Sequence, residues 1–425
     1  MQSASTRTAF LSVTTLFFAW GFITSIIDPL VAAVKGIFSL TNVEAQLSAF
    51  AFFIAYGLVS LPAAVLLSRM RAVPSILIAL AMMVGGCLVI LAASNTAAYA
   101  GVLVGLFILA SGITILQVAA NPLAANLGDP DSSHFRLTFS QAFNSLGTVL
   151  GPLLGASLLL KGIEVAPGTA LEPEVRANAL RSIDTSFLLI AGLIVILGLF
   201  IWWLRRTIEA ADRHARPMRR GILGTLGEAV DARWAVLGGC AIFLYVGAEV
   251  AIGTQMALFL NHGDVWGVPL QHAGYYVSLY WGGAMVGRFV GSALLTRIPA
   301  PRLLACATAV AALLCLYVFT VGGIGAGYAA LAIGLFNSIM FPTIFTITLE
   351  RSSASEEATS GLLCTSIVGG AFIPLLAGKI SDMAGYTTSF ILPALCYALL
   401  CVFALAAARA AVFRNEEDVP AATLH

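Results

Sequence analysis

AFLSVTTLFFAWGFITSIIDPLVAAV, residues 9–34, is an apolar run with a single charged residue, Asp28. It is much longer than the roughly 7 to 15 apolar residues of a cleavable leader, so it reads as a helix that stays in a membrane. Backbone in hydrocarbon has to satisfy its own hydrogen bonds, which selects helix over strand. Working outward, runs of the same kind recur at 44–67, 73–93, 98–125, 136–160, 185–204, 234–260, 272–296, 302–321, 325–349, 359–381 and 386–409. The expected fold is all-α: a polytopic membrane protein with twelve transmembrane helices, numbered here as crossings 1 to 12.

Composition agrees. Of 425 residues only 10% are charged, against about 25% in an ordinary soluble domain, and 59% are hydrophobic. Such a chain has too few charges to cover itself in water, and lipid is the solvent that suits it. A net charge of +1 leaves no basic excess for nucleic acid. The seven cysteines lie inside apolar runs without CxxC pairs and read as packing residues.

Most Lys and Arg fall on one side if the N-terminus is cytoplasmic; the other side holds only Lys35, Lys161, Arg176, Arg181 and Lys379. This bias predicts both termini in the cytoplasm and an even number of crossings. The arginine-rich stretch 205–233 reads as a cytoplasmic linker between two six-helix halves, 1–204 and 234–425. The segment 161–184 reads as a solvated outer loop. Repeats support the halves: Leu66-Leu67-Ser68-Arg69 returns as Leu294-Leu295-Thr296-Arg297, and Gly105-Leu106-Phe107 as Gly334-Leu335-Phe336. Gly147 with Pro152-Leu153-Leu154 returns as Gly369 with Pro374-Leu375-Leu376. Two such halves around a midplane site are the architecture of an alternating-access transporter.

Charge at the bilayer centre costs about 2.5 to 3.5 kcal/mol, so intramembrane ionisable groups are the first functional candidates. Asp28 precedes Pro29, which weakens the helix, and Trp20, Thr24 and Asp28 share one face at four-residue spacing. Asp28 is a candidate proton carrier or sugar-hydroxyl acceptor; the structural alternative is a carboxylate neutralised by Lys35. Glu249 follows Tyr245 by one turn in crossing 7. Burial disfavours its anion, which suits either proton coupling or a structural hydrogen bond. Arg288 in crossing 8 is a candidate gate through an acid, or a snorkelling side chain. Arg136 could form a gate with Asp129 and Asp131.

Neutral amides and hydroxyls form a stripe: Thr114, Gln117 and Asn121 on crossing 4, and Gln141, Asn144, Ser145 and Thr148 on crossing 5. Primary amides donate and accept from one group, which suits a hydroxyl-rich, uncharged sugar; helix packing is the plainer explanation. Tyr276 and Tyr280 share a face of crossing 8, and Phe341 stands beside Asn337 on crossing 10; rings can stack on a sugar or belong to an interface belt. No phosphate-cradling Gly-rich loop, metal-ligand cluster or Ser/His/Asp arrangement occurs, so neither ATP use nor an enzyme is expected, and no cofactor.

The segment Gly112-Ile113-Thr114-Ile115-Leu116-Gln117-Val118-Ala119-Ala120-Asn121-Pro122, with His134-Phe135-Arg136-Leu137 and Gln141-Ala142-Phe143-Asn144-Ser145-Leu146-Gly147, resembles the fucose/glucose/galactose:proton symporter family of the major facilitator superfamily. The resemblance extends from Asp28-Pro29 through Tyr245-Val246-Gly247-Ala248-Glu249 and Gly287-Arg288-Phe289 to Phe341-Pro342-Thr343-Ile344-Phe345. It implies sugar uptake driven by a proton gradient. It also implies two acids, one in crossing 1 matched by Asp28 and one just before the Ala-Ala-Asn-Pro element. The second position is Gln117, which can bind a sugar hydroxyl but cannot carry a proton, so Glu249 becomes the candidate for the missing carboxyl. That exchange argues against L-fucose.

The expected function is import of a glucose- or galactose-type hexose by proton symport. Asp28 and Glu249 would serve coupling. Gln117, Asn121, Gln141, Asn144, Trp20, Thr24, Tyr280 and Asn337 would bind substrate, and Arg288 and Arg136 would gate. An N-acetylated amino sugar or sodium coupling are the competing readings, with a drug exporter behind them. The expected partners are the sugar, H+ or Na+, and the bilayer of a bacterial inner membrane, in which the chain acts as a monomer.

Overall fold

The computed structural model describes residues 4–96, 98–127, 133–160, 172–211, 222–295 and 297–411, and among them the only regular structure is helix. Crossing 1 is two helices, α1 (Ala4–Ser25) and α2 (Ile27–Phe38). Crossings 2 to 6 are α3 (Asn42–Met70), α4 (Ala72–Asn95), α5 (Tyr99–Asn126), α6 (Ser133–Leu159) and α7 (Pro173–Ala211). A short α8 (Ile222–Asp231) leads into crossings 7 to 9, which are α9 (Arg233–Asn261), α10 (Leu270–Leu295) and α11 (Ala300–Val321). Crossing 10 divides into α12 (Gly323–Asn337) and α13 (Met340–Arg351). Crossing 11 is α14 (Glu356–Thr365), a 3-10 turn and α15 (Gly369–Ala384); crossing 12 is α16 (Tyr386–Ser389) and α17 (Ile391–Arg409).

Eleven segments among the described residues are long and apolar enough to cross a bilayer. The crossing outside that set is α10. Its 26 residues span about 39 Å at 1.5 Å each, ample for a hydrocarbon core of about 30 Å, but Gln271, His272 and Arg288 dilute its hydropathy.

Three of the breaks fall where proline removes a backbone donor, at Pro29, Pro342 and Pro393, each the third residue of the helix after the break. Pro29 has no N–H to return to Ser25, and crossing 1 breaks at Ile26 with Asp28 in the first turn of α2. Pro342 similarly releases the Ser338 carbonyl, and crossing 10 breaks between Asn337 and Met340. The single stripe expected for Trp20, Thr24 and Asp28 is therefore interrupted: the first two lie on α1 and Asp28 on α2. In the segment 205–233 the described residues are largely helical, and 212–221 lie outside the described residues. Crossing 6 continues to Ala211, and α8 packs on α14 and α9, with Glu228 accepting from the Ser355 amide at 2.7 Å. The expected outer loop is helical from Pro173 onward, and residues 161–171 lie outside the described residues.

Packing falls into two groups. In the first, α1 lies on α6, α4 on α5 and α7, and α3 on α5; in the second, α11 lies on α17 and α12, α9 on α15, α17 and α13, and α10 on α12. The repeated glycines do the same work in each group. Gly147 of α6 brings its bare Cα against the backbone of Phe18 and Phe22 in α1, and Gly369 of α15 does so against Phe243 in α9; a side chain at either would collide with backbone. The groups meet where α3 packs on α15, α6 on α10 and α2 on α9.

At the end of the bundle away from the termini, Asp382 accepts from the Asn42 and Val43 amides at 2.7 and 2.8 Å, a carboxylate on the positive end of α3. Lys35 donates to the Asn42 side chain and, at 2.6 Å, to the Tyr386 hydroxyl. Lys35 therefore joins the two groups at their rim and does not neutralise Asp28 seven residues earlier.

Candidate functional site

Asp28 is only 4% exposed. The helix break puts its carboxyl in the first turn of α2, where the helix dipole favours an anion. Its partner comes from the other helix group: the Trp281 indole on α10 donates to Asp28 Oδ2 at 2.6 Å. Asp28, Trp281, Thr24, Thr148, Phe53 and Val250 border a cavity with about 40 Å³ open to water. Gly253 of α9 forms another part of the surroundings, since a Cβ there would stand 3.4 Å from both Asp28 Oδ1 and the Trp281 ring.

Glu249 is held differently. Its Oε1 accepts from the Tyr245 hydroxyl at 2.7 Å, and that hydroxyl also lies 3.2 Å from the Asn337 carbonyl at the crossing 10 break. Tyr280 donates to the Glu249 backbone carbonyl at 3.2 Å and accepts from Asn337 Nδ2 at 2.7 Å. Tyr280 and Asn337 are fully buried. All of these residues belong to the second group. Arg288 stands within electrostatic reach of Glu249. It also donates to the Ser338 carbonyl at 3.4 Å and to the Ser145 hydroxyl on α6, so it bridges the proline-released carbonyl of crossing 10 to the first group.

The amide stripe is spread over several environments. Gln117 donates to the Tyr56 hydroxyl at 2.8 Å, and Tyr56 neighbours Thr24. Asn144 donates to the Phe17 carbonyl at 3.1 Å. Gln141 and Asn121 are partly exposed, and Asn121 Oδ1 has no partner among the described residues. Of the stripe, Thr148 alone borders the Asp28 cavity. Trp20 is 4% exposed, with its ring 4.2 Å from that of Phe17. Tyr276 parts from Tyr280 and packs edge-on against Trp266 at 4.9 Å, beside Tyr328, in an outer cleft between α10 and α12. Arg136 is buried, and the acids expected to pair with it, Asp129 and Asp131, lie outside the described residues.

Reasoning from sequence did not single out Trp281 or Tyr56 as partners of the polar groups. The available signal for Trp281 was its place directly after Tyr280, on a neighbouring face of the same intramembrane helix.

Residues 9–363 match the Major Facilitator Superfamily. The chain belongs to that superfamily. It is 40% identical over 397 residues to a glucose/galactose transporter of Brucella abortus biovar 1 (strain 9-941), covering 93% of each chain. It is 30% identical over 419 residues to the L-fucose-proton symporter of Escherichia coli K12, covering 95% of this chain and 94% of that one. A crystal structure of the E. coli fucose:proton symporter superposes with a TM-score of 0.70 at 26% identity, over 96% of this chain and all of that one. This major facilitator transporter is thus a multi-pass membrane protein with relatives among sugar carriers.

Proposed function

We propose that this major facilitator protein imports a hexose, glucose or galactose first, together with a proton by alternating access. The observation that carries the reading is Asp28: a carboxyl buried at a helix break, bonded to the opposite helix group and bordering an internal cavity. An ion in that setting is costly, and a proton removes the cost. Relatives named for glucose/galactose and for L-fucose with protons support both cargoes, and Gln117 in place of a second acid favours glucose or galactose over fucose.

Space for one or a few waters is not space for a hexose. Sugar binding therefore requires the two groups to separate around the amides of Gln117, Asn121, Gln141 and Asn144, with Thr24, Trp20, Tyr280 and Asn337 behind them. The moving units are residues 1–204 and 234–425, tethered through 205–233, in a bacterial inner membrane with both termini cytoplasmic. In that orientation the Asp382 cap on α3 and the Lys35 bond to Tyr386 form the outer gate in its closed position. Arg288 and Arg136 act on the cytoplasmic side, and a monomer suffices.

The test is uptake of labelled glucose, galactose, L-fucose and N-acetylglucosamine into proteoliposomes under an imposed proton gradient, then under a sodium gradient. Accumulation of glucose or galactose with protons is the expected result. Accumulation only with sodium reassigns the ion, accumulation of N-acetylglucosamine alone reassigns the sugar, and accumulation of none overturns the reading.

A further inference from the structure

The two oxygens of Asp28 are in different situations. Oδ2 receives the Trp281 indole N–H at 2.6 Å, and among the described residues no donor is placed on Oδ1. An indole nitrogen donates and cannot accept. The hydroxyl oxygen of a protonated carboxyl is a weaker acceptor than its carbonyl oxygen, so with Trp281 bonded to Oδ2 a proton reaching Asp28 is favoured on Oδ1. Trp281 stands on α10 and Asp28 on α2, in different helix groups. The preceding residue, Tyr280, donates to the Glu249 carbonyl. One dipeptide of α10 thus touches the surroundings of both intramembrane acids.

We infer that Trp281 is a positioning residue for coupling: its N–H biases the proton toward Oδ1 of Asp28, and it ties α10 to α2 while Asp28 is ionised. The inference rests on the reading of Asp28 as the coupling acid. A hydrogen bond to a carboxylate is roughly twice as strong as one to a neutral partner. Protonation on Oδ1 therefore weakens the tie between the groups, and loss of the proton restores it. Gly253, with no side chain of its own, lets the α9 backbone pack beside this pair.

Trp281→Phe keeps a ring and removes the donor; Trp281→His keeps a ring and an N–H. Each is reconstituted beside the unaltered chain and Asp28→Asn. Three quantities are read: sugar counterflow without a gradient, proton-driven accumulation, and the infrared carbonyl band of protonated Asp28, identified by its loss in Asp28→Asn. The expected result is that Trp281→Phe keeps counterflow, loses about tenfold in accumulation and shifts the Asp28 band, while Trp281→His regains accumulation and band position. Normal accumulation in Trp281→Phe, or an unmoved band, overturns the inference. So does loss of counterflow in both variants, which would make Trp281 part of the sugar pocket or of the fold. Normal accumulation by Asp28→Asn would overturn the underlying reading as well, independently of either Trp281 variant.

Discussion

Asp28 finds its hydrogen-bond donor across the boundary between the helix groups, on Trp281, whereas Glu249 finds Tyr245 within its own group, where Tyr280 and Asn337 complete the network. A bond that crosses the boundary has to change when the groups move; one confined to a group travels with it. The two acids, similar as sequence features, are therefore suited to different tasks. On the proposed reading Asp28 exchanges a proton in step with the conformational change, while the Glu249 carboxylate, bonded to Tyr245 on its own helix, sets the local field of the network that reaches Asn337.

The strongest way to break this contrast is Asp28→Asn, which should reduce proton-driven sugar accumulation to the level of empty vesicles while counterflow persists. Tyr245→Phe removes the donor from the hydrogen bond to Glu249 and Glu249→Gln leaves only a neutral acceptor in it, and each should slow uptake about tenfold. Because both act on the same bond, the double variant should be no slower than the slower single one, a non-additivity that a double-mutant cycle measures. A smaller effect concerns the rim: Asp382→Ala removes the carboxylate on α3, and amide exchange at Asn42 and Val43 should speed up about tenfold. Smallest is Gln117→Leu, which should raise the KM for sugar about fivefold through one lost neutral hydrogen bond, without changing the ratio of accumulation to counterflow.

Much of this was legible in the amino-acid order because membrane solvation acts locally: each crossing is a long apolar run, and the missing N–H of Pro29 marks the weak point of crossing 1, although Pro62 and Pro152 sit inside unbroken helices. The duplicated glycines were legible for the same reason, since a short motif at Gly147 and Gly369 meets an equivalent backbone in each group. Partnerships were not legible. Trp281 lies 253 positions from Asp28, and Tyr386 lies 351 from Lys35; only the stacking of the helices brings them together. Helical spacing also put Tyr276 beside Tyr280, but four residues along the helix were enough to send one to the outer cleft and the other to the core.

Sugar-dependent proton entry, read with a pH dye trapped inside proteoliposomes, tests the division of labour between the two acids most directly. The unaltered chain and Glu249→Gln should move protons with sugar, the latter more slowly, and Asp28→Asn should exchange sugar with no proton movement. Proton entry with sugar in Asp28→Asn, or its absence in a Glu249→Gln protein that still exchanges sugar, would contradict it.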